Sequence, residues 1–128
     1  MSVALFFITH EGLASNLLSI GEAIIQKPSS NLSYIEVPMD ASVAEITEQA
    51  ETRLAKLNSN DGLIFFTDVY GSTPSNIAQQ LATKHKMTLV SGINLPMTLR
   101  LLSYRDSNKA DLLEKALDGG HQGIQTNN

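Results

Sequence analysis

The chain has 128 residues, a formal net charge of −4, 42% hydrophobic residues and 17% charged residues. That balance excludes a disordered chain and suits one domain, residues 1–128, with a core. Nine basic residues against thirteen acidic ones, no Lys/Arg run and no Trp argue against a nucleic-acid footprint. With no Cys, disulfides, thiolate metal sites and thiol catalysis are all ruled out. Residues 1–5 lack a basic leader and no apolar run approaches a bilayer span, so a cytoplasmic domain is expected.

Val3 to Ile8 is a near-continuous apolar run, as in a parallel strand covered on both faces. Leu13, Leu17, Ile20 and Ile24 follow at helical spacing, and that helix stops before Pro28. Leu32 to Val37 is the second strand. Ser42 and Glu45 form a capping-box pattern, after which Val43, Ile46, Ala50, Leu54 and Leu57 keep one helical face apolar.

The turn cluster Asn58 to Gly62 leads into a third strand, Leu63 to Thr67. Gly71-Ser72-Thr73-Pro74 then predicts a helix start with Thr73 as N-cap and Pro74 at the first helical position. Met87 to Val90 is the fourth strand, and Pro96 opens a helix running through Tyr104. A last helix, Ala110 to Leu117, is expected to take Asp106 or Ser107 as cap and to end at Gly119-Gly120. His121 to Ile124 is a short strand or a tail.

Strands alternating with helices predict a single doubly wound α/β domain, mainly parallel, with strand order 2-1-3-4 and helices on both faces. In such a sheet ligands bind beyond the carboxyl ends of the strands, where the strand order reverses. Strand one ends in Thr9-His10 and strand three in Thr67-Asp68, so the topology brings together two side chains 58 positions apart. An imidazole whose one nitrogen is held by a carboxylate presents its other lone pair as a base or nucleophile.

Gly71, Ser72, Thr73 and Ser75 supply a third element. A helix start after a glycine offers backbone N–H groups, and hydroxyls beside it, to an anion such as a phosphoryl group. No GxxxxGK[ST] or GxGxxG pattern is present. His85, between two lysines in a last helical turn, reads as a solvated partner of the helix dipole, and His121 has no evident carboxylate. Arg100 and Arg105 are expected on the solvent side or at the crevice rim. No histidine pair has metal-ligand spacing, so neither metal nor cofactor is expected.

Thr9-His10, Asp68-x-Tyr70-Gly71-x-Thr73-Pro74-x-Asn76 and Gly92-Ile93-Asn94-Leu95-Pro96-Met97 together resemble the mannose-type enzyme IIA family, over essentially the whole chain. These are phosphocarrier domains of the bacterial phosphoenolpyruvate-dependent sugar phosphotransferase system. The resemblance implies that His10 accepts a phosphoryl group from the histidine phosphocarrier protein (HPr) and passes it to a IIB component, with Asp68 as the orienting carboxylate. It also implies a homodimer to which a C-terminal strand, here His121 to Ile124, contributes.

The family's usual pattern has two glycines and then Ser-Pro, whereas this chain has Gly71-Ser72-Thr73-Pro74. The sequence contains no IIB segment, which leaves a stand-alone regulatory module, controlled by phosphorylation of His10, as the alternative to transport. A serine hydrolase using Ser72 or Ser75 with His10 as base is disfavoured, because GxSxG is missing.

Overall fold

In a computed structural model, residues 2–127 are described and form a four-stranded sheet with five helices. The elements are β1 (Ala4–His10), α1 (Ala14–Ile25), β2 (Leu32–Val37), α2 (Val43–Leu54), β3 (Leu63–Thr67), α3 (Thr73–His85), β4 (Thr88–Ser91), α4 (Leu95–Ser103) and α5 (Lys109–Gln122). Strand order is β2-β1-β3-β4 and all three pairings are parallel, as the alternation of strands and helices predicts. Among the described residues no helix is long and apolar enough to cross a membrane.

The two apolar periods of β1 explain its central place. Ala4, Phe6 and Ile8 face one side with Ile35, Val37 and Phe65, and there meet Ile46 and Ala50 of α2 and Ile77 and Leu81 of α3. Val3, Leu5 and Phe7 face the other side with Ile64 and Phe66, beneath α1, α4 and α5. In-register aromatic pairs fill both layers. Phe7 stacks on Phe66 at 4.9 Å between ring centroids, and Phe6 meets Phe65 edge-on at 6.0 Å. A buried strand with no polar face fits only the middle of a covered parallel sheet.

Several boundaries differ from the sequence expectation. In α1 the buried residues are Ala14, Leu18 and Gly21, whereas Ile20 and Ile24 are about half exposed. The small residues Ala14 and Gly21 let α1 lie close to the sheet and to α4. A Cβ on Gly21 would come within 2.8 Å of Leu102 Cδ1. The expected apolar stripe holds at Leu17, which packs against the core, and fails at Ile20 and Ile24, because close approach through small residues, not side-chain bulk, decides which face is buried there.

Gly119 and Gly120 do not end α5. They lie inside it, and with Gly123 they form its contact with α4, where a Cβ on Gly119 would collide with Arg100 and one on Gly123 with Pro96. Asn108, not Asp106 or Ser107, caps this helix, its Oδ1 accepting from the Asp111 amide at 2.9 Å. Of the short strand or tail expected at His121 to Ile124, no strand forms: His121 and Gln122 complete α5, and Gly123 and Ile124 follow it outside any strand.

Candidate functional site

β1 and β3 are register partners through Ile8↔Thr67, so their next residues leave the sheet side by side. His10 Nδ1 lies 2.7 Å from Asp68 Oδ2, and the same oxygen accepts the His10 backbone amide at 3.0 Å. The other oxygen, Oδ1, accepts the Val69 amide at 3.0 Å. The carboxylate is nearly buried, with 7% of its side chain exposed, while the imidazole is 38% exposed. Burial alone would raise the Asp68 pKa, but the hydrogen bonds from the His10 amide, the His10 ring and the Val69 amide outweigh it and hold it below its ordinary value.

This geometry assigns the ring nitrogens. An ionised carboxylate only accepts, so Nδ1 carries the proton toward Asp68. Nε2 makes no protein hydrogen bond among the described residues, and its lone pair is left outward. Thr9 secures the turn beyond β1, because its buried hydroxyl accepts the Ala14 amide at 3.1 Å and donates to the His10 carbonyl at 2.9 Å. Gly12, at φ 91°, allows that turn to reverse into α1.

Glu36 is a supporting residue that sequence reasoning passed over. Its Oε2 accepts both the amide of Ser15 at 2.9 Å and the Ser15 hydroxyl at 2.8 Å, fixing the first turn of α1. Burial raises its pKa, and the hydrogen bonds from Ser15 and Gly12 more than offset this to leave it lowered. A charged residue one position from the end of a strand otherwise rich in apolar residues was the available signal.

The start of α3 is built differently from the expectation. Ser72, not Thr73, is the N-cap, with Thr73 first in the helix and Pro74 second. Ser72 Oγ accepts the Ser75 amide at 3.4 Å and donates to the Val69 carbonyl at 2.7 Å. Ser75 is buried, and its hydroxyl accepts the Gly71 amide at 3.3 Å. Ser72 and Ser75 therefore shape the turn. Neither hydrogen-bonds His10, which removes the serine-nucleophile arrangement.

Thr73 instead shares with His10 a cleft of about 170 Å³, lined also by Met39 of the β2–α2 loop and by Val43 at the start of α2. Its amide is the helix-end donor not engaged by a local hydroxyl among the described residues. Gly71 takes φ 87°, which a side chain would resist, whereas Ser72 sits at φ −85° and needs no glycine. Met39, which lines this cleft, is 92% exposed, and Tyr70, two residues after Asp68, is 79% exposed.

The remaining candidates lie elsewhere. His85 is not simply solvated: its Nε2 is 2.7 Å from Glu51 Oε1, and Lys84 Nζ is 2.6 Å from Oε2 of the same carboxylate. These contacts join α2 to α3. Arg100 donates to Gln122 at 3.1 Å, and Arg105 is buried at the opposite end of the sheet. Among the described residues no cluster of three or more acidic or imidazole side chains could hold a metal.

The chain is 27% identical to the mannose-specific EIIAB component of the phosphotransferase system (PTS) from Escherichia coli K12, across 98% of this chain and 39% of that protein. It thus spans about two fifths of the length of that curated relative. It is also 27% identical, over 60% of its own length and 53% of the other's, to the fructose-specific EIIA component of Bacillus subtilis. The solved mannose/sorbose-specific IIA subunit from Enterococcus faecalis shares the fold at a TM-score of 0.84 and 17% identity, covering 100% of this chain and 96% of that one. A solved EIIA component from Streptococcus agalactiae shares it at 0.82 and 20% identity, covering 97% and 96%. The sequence model of the mannose-type EIIA family, described as the PTS system fructose IIA component, matches residues 4–117. The chain belongs to that family.

Proposed function

We propose that this domain is a phosphocarrier, accepting a phosphoryl group on His10 Nε2 from HPr and passing it to a histidine of a IIB component. The observation that carries the reading is the 2.7 Å contact between His10 Nδ1 and Asp68 Oδ2, which orients a half-exposed imidazole with its other nitrogen free. Nε2 attacks phosphorus in line as the donor's P–N bond breaks, and the electron pair of that bond returns to the donor imidazole. The His10 ring becomes cationic, with its Nδ1 proton still held by Asp68. Transfer to IIB is the same step in reverse, so neither metal nor activated water is required.

The amide and hydroxyl of Thr73, at the positive end of α3, are the groups best placed to meet the phosphoryl oxygens as charge spreads over them. Gly71, Ser72 and Ser75 hold that turn in shape and complete the phosphate-binding segment. Met39 and Tyr70, with acidic Asp40 next to Met39 and Glu11 next to His10 in sequence, suit a protein partner whose contact surface is apolar and basic. Docking of such a partner excludes water, which would otherwise hydrolyse the phosphohistidine. The chain acts in the cytoplasm, where phosphoenolpyruvate is available, and works as a homodimer.

The deciding experiment labels the protein with radioactive phosphoenolpyruvate, enzyme I and HPr. An acid-labile, base-stable adduct on wild type and none on His10→Ala is the expected result. Persistent labelling of the alanine variant would refute the assignment.

A further inference from the structure

At the end of the sheet opposite His10, the loop between α1 and β2 and the turn after α4 enclose a cleft of about 240 Å³. Three buried side-chain polar atoms lack a hydrogen-bond partner among the described residues: Ser29 Oγ, Arg105 Nε and Arg105 Nη1. All three belong to residues lining this one cleft. Arg105 is 9% exposed, and only its Nη2 is engaged, donating to the carbonyls of Ser30 at 2.8 Å and Asn31 at 3.3 Å. Lys27, Ser2 and Asp106 border the same space.

A buried guanidinium with two unanswered nitrogens is costly to leave so, because each orphaned donor has lost its hydration with nothing in exchange. Burial pulls the Arg105 pKa down and the nearby Asp106 charge acts against it. Lys27 and Arg105 face two carboxylates, Asp106 and Glu22, whose Oε2 accepts the Ser29 amide at 3.2 Å, so the charges balance and it is the unpaired donors that call for a ligand. What is missing is an acceptor, and the donors present match the acceptor-rich oxygens of a phosphate or carboxylate.

We propose that this cleft is a binding site for a small oxyanion, of the size of inorganic phosphate or a short phosphate ester, held by Arg105, Ser29 and Lys27. Its oxygens receive N–H from Arg105 Nε and Nη1 and O–H from Ser29, with Lys27 closing over the outer side. Both nitrogens and the Ser29 hydroxyl are shielded from bulk water, so an anion reaches them only with a movement of the surrounding side chains. Roughly 20 Å of β1 separates this cleft from His10. The site is therefore spatially separate from phosphoryl transfer at the imidazole.

The test is a titration of the full chain with inorganic phosphate, followed through backbone amide resonances, at ionic strength matched with chloride. Saturable shifts confined to residues 2, 27–31 and 102–106 are expected, separate from any at residues 71–76. Arg105→Met should abolish them. Ser29→Ala, which removes an unpaired hydroxyl and should fold as well as wild type, should weaken binding about fivefold. Acetate and sulfate arms separate carboxylate from phosphate-like recognition. Shifts that fail to saturate by about 20 mM phosphate, or that persist unchanged in Ser29→Ala, would overturn the proposal.

Discussion

The carboxylate of Asp68 holds two groups of His10 with a single oxygen, and that shared contact gives the residue-scale predictions. Replacing Asp68 by Asn keeps the side-chain shape but lets its amide nitrogen present a donor to Nδ1, so the imidazole can be held in the wrong tautomer. Phosphorylation of His10 in Asp68→Asn should slow by at least about tenfold while the fold persists. A rate equal to wild type, measured by quenched-flow labelling, would show that the ring needs no carboxylate partner. Thr73 is the second residue to probe. Thr73→Val should slow labelling and leave thermal stability near wild type, because Ser72, not Thr73, caps α3.

At the scale of elements, the start of α3 and the contact of α5 with α4 are governed by backbone rather than bulk. Gly71→Ala should destabilise by about 1–2 kcal/mol, through the cost of φ 87° alone, because a Cβ there meets nothing within 4 Å. Ser72→Gly should cost only a few tenths of a kcal/mol, since glycine is itself a tolerated cap. Urea denaturation of the two variants checks this order, and a larger loss in Ser72→Gly would contradict the capping geometry. The glycines of α5 obey a different constraint. They admit Pro96, Met97 and Arg100 of α4 to a distance that any side chain would block.

Across the whole molecule, acid stability is set by carboxylates that fold into hydrogen bonds. The pKa values of Asp68, Glu36 and Glu51 are lowered from ordinary values of 3.8, 4.5 and 4.5. For a group with a lowered folded pKa, the stabilisation is complete above the unfolded value and is lost as pH falls through the folded one. The urea midpoint should therefore hold steady above about pH 5 and fall below pH 4.5. In Asp68→Asn the fall should be shallower. Parallel curves for the two proteins would show that Asp68 does not contribute to it. The core layers respond to volume instead: Phe66→Ala, which empties the partner of Phe7, should cost about 3–5 kcal/mol in calorimetric or denaturant unfolding.

Much of this molecule follows from local rules acting along the chain. The alternation of apolar runs and amphipathic stretches determined the parallel sheet and its order, because handed crossovers leave few ways to cover β1 on both faces. That order in turn placed His10 beside Asp68, since both leave strands that are neighbours at the point where the order reverses. Tertiary contact decided what spacing cannot encode. Which stripe of α1 is buried depended on how near Leu102 could come, and whether Gly119-Gly120 stops or continues α5 depended on α4 lying against it. The pairing of His85 with Glu51, and the burial of Arg105 with unanswered nitrogens, likewise arise between elements far apart in sequence. Helical and strand periods are properties of neighbouring residues, whereas close approach and hydrogen-bond satisfaction exist only once distant segments have met.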